Sequence, residues 1–208
     1  KEVMSHFPNI YKKCLSIGID LTKDMIPVVP AAHYCCGGIK VNLNGESSIR
    51  RLYALGEASS TGLHGGNRLA SNSMMEAAVY ADAAARHAIS VIDSIELQRD
   101  IPAWDYEGTA VPEEMALITQ DYKEMQQIMT NYVGIVRSDV RLERAKRRLE
   151  IIFKETEELY LKSTLSQHLC ELRNMIAVGY LIIKQAEARH ESVGLHYSID
   201  YPAKPVEI

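Results

Sequence analysis

The sequence predicts an α+β chain in which a short β-hairpin and one long helix are followed by an all-α three-helix bundle. β-like runs and glycine-rich loops occur in the first half, whereas the second half carries three apolar stripes at steps of three and four residues. The 208 residues suffice for one large or two small domains. With 47% hydrophobic and 24% charged residues, the composition is typical of a folded globular protein and excludes a disordered chain.

Charge and hydropathy argue against two classes of partner. The net charge is -4 and no basic block is present, so no contact with nucleic acid is expected. No apolar run reaches the roughly 18 to 20 residues that span a bilayer, and the first residues lack the apolar core of a signal peptide. The sequence therefore predicts a cytoplasmic protein without a membrane partner.

The four cysteines do not form the framework of a disulfide-stapled domain, so reduced thiols are expected. Cys35 and Cys36 are adjacent and lie near His33, which raises the alternative of a metal site. Structural zinc sites usually space paired ligands as CxxC, and these two cysteines do not. We therefore predict small buried residues in a strand, and no metal.

The first 34 residues predict a short helix around Phe7 to Leu15, a turn at Gly18 and an extended stretch. Pro27 and Pro30 exclude a regular helix in that stretch. These residues offer no core of their own, which is typical of the end of a larger domain.

The next region predicts the hairpin and the long helix. The β-like run Ile39–Leu43, the turn Asn44-Gly45 and a second strand Leu52–Leu55 form the predicted hairpin. The alanine-rich run from Met74 to Ile92 predicts a helix with Ser or Asn as its N-cap. Between them, the glycine-rich loop Gly56–Asn67 exceeds the usual connection of about two to six residues, so we expect function there.

A linker rich in Pro and Gly over residues 101–112 leads into the predicted bundle. The apolar stripes place its three helices at Met115–Tyr132, Ala145–Leu159 and Leu169–Ala186. Gly134 is expected to end the first helix, and Ser138 or Asp139 to cap the second. We interpret the stripes as core packing and the charged run Arg141–Glu150 as a solvated face.

Polar residues that could bind a ligand or take part in a reaction cluster around the glycine-rich loop. Glu57 directly follows a predicted strand and Gly56, where a carboxylate can accept hydrogen bonds from a nucleotide's sugar, although a plain turn is the alternative. The N–H groups of Ser73 and Met74 open the helix and suit an anion, a phosphate or a reduced flavin ring, the alternative being an ordinary capped helix.

Arg68, His33 and His64 could bind a dicarboxylate if the fold brings them together. A guanidinium holds a carboxylate through two hydrogen bonds, and a histidine can bind a second acid group. A surface charge is the alternative for Arg68, because spacing along the sequence does not show that these groups converge.

Three segments together carry a family resemblance, namely PAAHYCCGGIKV, LYALGEASSTGLHGGNRLASNSMMEA and ESVGLHYSIDYP. Over nearly its whole length the chain resembles the L-aspartate oxidase branch of the succinate dehydrogenase and fumarate reductase flavoprotein superfamily. The respiratory subunits typically read SVHGANRLGGNSLLD where this sequence has TGLHG and NRLASNS. Departures from the family pattern occur at Cys35, Gly66, Met74, Met75 and Val193, where the family commonly has Thr, Ala, Leu, Leu and Arg.

The resemblance implies the C-terminal part of a longer enzyme. Residues 1–34 would end the capping (substrate) domain, 35–97 would be the C-terminal segment of the FAD-binding domain, and 98–208 the C-terminal three-helix domain. The fold would then be a fragment of an FAD-binding α/β domain followed by the helical bundle. No catalytic residue is assigned, since the family's proton-accepting arginine is expected upstream of Lys1.

The resemblance also implies ligands for particular residues. It assigns non-covalent FAD to Glu57, Ser73 and Met74, with His64 as a further candidate. It assigns the substrate carboxylates to His33 and Arg68, with Ser71 as a further candidate.

The implied reaction is oxidation of L-aspartate to iminoaspartate, with oxygen or fumarate as acceptor. In the family this is the first step of the quinolinate route to NAD, which implies a functional link to quinolinate synthase. One alternative is a flavoprotein subunit of succinate dehydrogenase or fumarate reductase. Another is a fragment that is inactive alone and binds no flavin, its helices acting as an interaction module and its exposed edge forming dimers.

Overall fold

The computed structural model describes residues 2–111 and 115–203. The chain divides into two compact units, Lys1–Ala31 and Ala32–Ile208. Pro112, the last residue of the predicted linker, lies outside the described residues. None of the described helices is long and apolar enough to cross a bilayer.

The first unit contains two short helices, α1 (Glu2–His6) and α2 (Pro8–Leu15). α2 confirms the helix predicted around Phe7 to Leu15, and its first residue is a proline, which lacks the N–H that a helix start leaves unpaired. Neither helix contains a buried residue. The apolar side chains of residues 2–31 therefore form no buried core.

The second unit opens with a small parallel sheet of two strands, β1 (Ile39–Lys40) and β2 (Ser59–Ser60). Ile39 pairs with Ser59, and Lys40 pairs with Ser60. Gly38 lets the two strands approach each other, since a Cβ there would lie 2.4 Å from the carbonyl oxygen of Ala58. This sheet brings the residues before β1 next to the loop that follows β2.

The predicted antiparallel hairpin over residues 39–55 is wrong. The Asn42 carboxamide oxygen accepts hydrogen bonds from the N–H groups of Asn44 and Glu46, at 2.9 and 3.1 Å. These bonds turn the chain before a ladder can form, because an Asn side chain competes with strand pairing for backbone donors. A single antiparallel bridge between Glu46 and Tyr53 remains of the hairpin.

The long helix α3 (Asn72–Ile92) confirms the helix predicted from Met74 to Ile92. A 3₁₀ turn over Gly56–Ala58 packs against it. Only Glu76 and Ala84 are buried on α3, and most of its apolar side chains are exposed. The helix is thus a support for the loop before it rather than part of a large apolar core.

The second half forms α4 (Met115–Tyr132), α5 (Asp139–Lys162) and α6 (Gln167–Glu187), so three helices lie where three were predicted. All three pairs of these helices are in contact. Ser138 caps α5 by accepting a hydrogen bond from the N–H of Arg141, as expected from the sequence. Ser166 caps α6 in the same way.

The three helices share one apolar core, in agreement with the interpretation of the stripes. At its centre α6 approaches α4 at Gly179, where a Cβ would lie 2.2 Å from Cε of Met125. The buried members of the core are Ile118, Met125, Ile128, Val133, Leu142, Ala145, Leu149, Ile152, Leu169, Leu172, Ile176, Ile183 and Ala186.

After α6 the chain returns to the start of α5. The N–H of Arg137 donates to the carbonyl of Tyr197, and the N–H of Ile199 donates to the carbonyl of Arg137, both at 3.0 Å. A tight turn over Val193–His196, closed by a bridge between its ends, precedes this pairing. We call it the C-terminal turn, and it contacts the loop between β2 and α3.

Candidate functional site

The site loop, which we define as Thr61–Ser71, joins β2 to α3. It ends at Ser71, the residue before the helix, which has a left-handed φ of 70° and makes no side-chain capping bond. The first-turn N–H groups of Ser73 and Met74 therefore receive no cap from Ser71, unlike the side-chain capping common at helix starts. The N–H groups at this end of α3 can therefore donate hydrogen bonds to acceptor atoms of a ligand.

Arg68 is attached to the first turn of α3. Its Nη1 donates to Oγ of Ser73 at 2.7 Å. Its guanidinium carbon lies 4.4 Å from the centroid of the Tyr34 ring, a cation–π contact with the segment before β1. The structure therefore brings together Arg68, predicted for the substrate, and Ser73, predicted for the cofactor.

His64 is attached to α3 one turn further on. Its Nε2 lies 2.6 Å from Oε2 of Glu76. The His64 ring meets the Tyr34 ring edge to face, with centroids 6.2 Å apart. The His64 side chain is only 11% exposed. Tyr34 thus contacts both His64 and Arg68.

The Glu76 side chain is the most deeply buried charged group of the site, at 2% exposure. Its second oxygen, Oε1, accepts a short hydrogen bond from the hydroxyl of Thr61. That hydroxyl in turn accepts from the N–H of Leu63 at 3.2 Å. Glu76 therefore ties the start of the site loop, as well as His64, to the helix.

Sequence reasoning missed Tyr34, Thr61 and Glu76. One pattern could have found Glu76, because Ser73 and Glu76 are three residues apart and share the helix face that follows the loop. Because an acidic residue in a helix is usually exposed to solvent, the sequence gives no sign that Glu76 is buried.

Glu57 lies in the 3₁₀ turn that packs on α3. Its Oε1 accepts a hydrogen bond from the N–H of Cys35 at 3.0 Å. Its Oε2 has no hydrogen-bond partner among the residues that the structure describes. The carboxylate therefore keeps acceptor capacity for a ligand while being held beside the segment that carries His33.

Three predicted site residues are not drawn into the cluster by hydrogen bonds. His33 is exposed and makes none with the described part of the chain. Ser71 is exposed, and Met74 has 79% of its surface open to solvent.

The cysteines near His33 do not lie in the strand in which the sequence predicts them. Cys35 is exposed, and both it and Cys36 precede β1 instead of lying in a strand. The Cys36 thiol lies 3.8 Å from the side-chain oxygen of Asn67, which links this segment to the site loop. The described residues hold no group of three or more side chains suited to a metal ion.

The C-terminal turn supports the site loop from the other side. The N–H of Leu195 donates to the carbonyl of Gly66 at 2.9 Å. A Cβ on Gly194, whose φ is +56°, would lie 1.9 Å from that same oxygen, so only glycine fits. A Cβ on Gly66 would lie 2.9 Å from Cγ1 of Val193. Gly66 and Val193, two departures from the family pattern, are thus neighbours.

The buried His196 and the half-buried Arg137 connect the C-terminal turn to the segment between α4 and α5. Nη1 of Arg137 lies 2.9 Å from Nδ1 of His196, and Nε of Arg137 donates to the carbonyls of Val133 and Gly134. Burial, together with the charge of Arg137, lowers the pKa of His196 below its ordinary value. A neutral imidazole accepting from Arg137 fits this arrangement.

Comparison with known families matches two segments. Residues 1–74 match the FAD binding domain, and residues 122–205 match the C-terminal region of the fumarate reductase flavoprotein. FAD is the cofactor that these matches indicate.

Curated relatives cover nearly the whole chain. It is 43% identical over 205 residues to the L-aspartate oxidase of Vibrio cholerae and 48% identical over 200 residues to that of Yersinia pestis. These alignments cover 99% and 96% of this chain but 38% of each relative. The chain therefore spans little more than a third of the length of these relatives.

Solved structures have the same fold. A quinol-fumarate reductase with menaquinol molecules superposes with a TM-score of 0.82 at 26% identity, over 99% of this chain and 39% of that one. The Sdh1 complex of Mycobacterium smegmatis with UQ1 gives 0.77 at 26% identity, over 99% and 36%. The site loop lies within the first matched segment, and the two segments together place the chain in the succinate dehydrogenase and fumarate reductase flavoprotein family, with curated relatives that include L-aspartate oxidases.

Proposed function

We propose that this chain is the C-terminal part of an FAD-dependent L-aspartate oxidase, which oxidises L-aspartate to iminoaspartate. The observation that carries the proposal is the bond between Arg68 and Ser73. It places a carboxylate-binding guanidinium directly beside the uncapped start of α3, where a flavin ring would find hydrogen-bond donors.

The residues present fit FAD. The N–H groups of Ser73 and Met74 suit the polar edge of a flavin, and the free oxygen of Glu57 suits a hydroxyl of its sugar chain. Exposed apolar side chains around them, including Met74 and Leu69, suit the ring's faces. His64 is the further cofactor candidate. When bound, FAD supplies the electron acceptor for the oxidation.

The substrate would be held by its two carboxylates. Arg68 would bind one carboxylate through two parallel hydrogen bonds, and His33, next to Tyr34, would bind the other. Ser71 is a third candidate at the end of the site loop. Fixing both ends of L-aspartate would orient its reacting carbon and lower the entropic part of the barrier.

The proposal includes the domain organisation of residues 1–34, 35–97 and 98–208, with the last forming a three-helix bundle. It also includes oxygen or fumarate as acceptors, a functional link to quinolinate synthase, and dimers of this piece through its exposed apolar surface. A cytoplasmic location stays a prediction of the sequence, and relatives in tobacco and rice are named as chloroplastic.

A second candidate function is that of a succinate dehydrogenase or fumarate reductase flavoprotein. It is favoured by the superposition on a quinol-fumarate reductase at a TM-score of 0.82. The higher identity to L-aspartate oxidases, 48% against 26%, supports the first function.

The test is bleaching of flavin absorbance without oxygen, in the complete enzyme that contains this chain, by L-aspartate and by succinate. We expect L-aspartate to bleach and succinate not to. Arg68→Leu should keep flavin and raise the L-aspartate concentration for half-bleaching at least about tenfold, because charged hydrogen bonds are lost. Arg86→Leu, which removes an exposed arginine on α3, is the control and should leave bleaching unchanged.

Each other outcome has a defined meaning. Bleaching by succinate alone would assign the chain to the respiratory flavoproteins. A complete enzyme that binds no flavin would refute both functions and favour an interaction module. Unchanged bleaching in Arg68→Leu would remove Arg68 from the substrate site.

A further inference from the structure

Side-chain bonds from Arg68 and His64 attach the middle of the site loop to one face of α3. Arg68 bonds Ser73 at 2.7 Å, and His64 bonds Glu76 at 2.6 Å. Ser73 and Glu76 are three residues apart, so both bonds lie on the same side of the helix. The Tyr34 ring contacts both loop residues and connects the two attachments.

Glu76 is an unusual group for this position. It is a carboxylate at 2% exposure, and no Lys or Arg among the described residues pairs with it. Burying a charge is costly unless its oxygens are hydrogen-bonded, and here Thr61 and His64 supply those bonds. The contacts therefore hold the loop at two points, its first residue and its histidine.

The bond to Glu76 also holds the His64 ring. Nε2 is the ring nitrogen of His64 that faces Glu76, 2.6 Å from its Oε2. Nδ1 has no hydrogen-bond partner within the described residues. The ring is thus fixed in position, with its edge contact to Tyr34 maintained.

We propose that Glu76 is a positioning residue for Arg68, because it holds His64 and, through the contact of His64 with Tyr34, keeps the Arg68 guanidinium in its carboxylate-binding place. This rests on the proposed function in one respect, namely that Arg68 binds a substrate carboxylate. Glu76 itself does not touch the substrate.

The experiment measures binding of malonate, a dicarboxylate that the enzyme cannot oxidise. The complete flavin-loaded enzyme is titrated and the dissociation constant is read from the change in flavin absorbance. Glu76→Leu should raise this constant about tenfold or more, since a small misplacement of a binding group weakens it strongly. Glu76→Gln should restore near-normal binding, because its oxygen can accept from His64 while its amide donates to Thr61.

A double substitution separates positioning from a general structural role. If Glu76 acts through Arg68, Glu76→Leu should have little further effect on malonate binding once Arg68→Leu is present. Full addition of the two effects would overturn the proposal. Asp82→Leu, at an exposed acid on the same helix, is the matched control and should not change binding.

Folding problems would not obscure the result. If Glu76→Leu does not fold, His64→Leu removes the next group in the chain of contacts and should weaken malonate binding similarly. Unchanged binding in a folded, flavin-loaded Glu76→Leu or His64→Leu enzyme would refute the positioning role. Failure of the proposed function is distinct, since it would appear as bleaching by succinate instead of L-aspartate.

Discussion

The helical part, residues 115–203, and the site part, residues 32–97, are built differently. The helices share a large apolar core in which Leu169, Leu172 and Ile183 have no exposed surface. In the site part, Ala54 and Ala84 are the buried apolar residues among those described, and Ser59 and Glu76 are buried through hydrogen bonds. An apolar core stabilises the helical part. The site part is held by a few polar contacts, and many of its apolar side chains are exposed to solvent.

The largest expected effect is a core substitution in the helical part. Leu169→Ala should lower the free energy of unfolding by about 2 to 5 kcal/mol, because it removes buried methyl groups and leaves a cavity. Leu69→Ala, at a leucine 70% exposed in the site loop, should change it by less than about 0.5 kcal/mol. Urea unfolding of the 208-residue chain measures both. Equal losses would contradict the difference between the two parts.

A medium effect is expected where the two parts meet. Gly194→Ala would place a methyl group against the carbonyl of Gly66 at a backbone angle that disfavours alanine. Amide hydrogen exchange in the site loop should accelerate at least about tenfold, corresponding to about 1.4 kcal/mol of lost local stability. Exchange at the centre of α6 should stay unchanged.

Gly108→Ala is the control for this substitution. Gly108 also has a positive φ, +80°, but a Cβ there would meet nothing within 4 Å. It tests the backbone penalty without the clash. If Gly108→Ala and Gly194→Ala accelerate exchange in the site loop equally, the C-terminal turn does not support that loop.

The smallest effect concerns pH. Burial and the Arg137 charge lower the pKa of His196, so the unfolded chain binds a proton more readily than the folded one does. The resulting stability is present above the unfolded pKa of about 6.5 and is lost as pH falls below it towards the folded pKa. The weaker influences of Arg189 and Glu191 partly cancel. The free energy of unfolding should fall more between pH 7.5 and 5.5 in the wild-type chain than in His196→Gln. Parallel curves would disprove the linkage.

Much of the helical part could be predicted from the sequence, because apolar steps of three and four residues report directly which side faces a core. The hairpin could not, since one side chain, that of Asn42, redirects the backbone. Arg68 and Ser73 were predicted separately, but their bond depends on the path of the site loop. Glu76 was missed because its burial is created by Thr61 and His64, which no local pattern places around it.

The bond between Gly66 and Leu195 has a consequence for the timing of assembly. The two residues are separated by more than half of the sequence, with α3 to α6 between them. During synthesis the site loop and α3 are made first, yet the loop obtains this contact only after all three later helices have been made and have folded back. Until then a nascent chain holds a loop without its last support, so ligand binding should be acquired late, after most helical structure has formed.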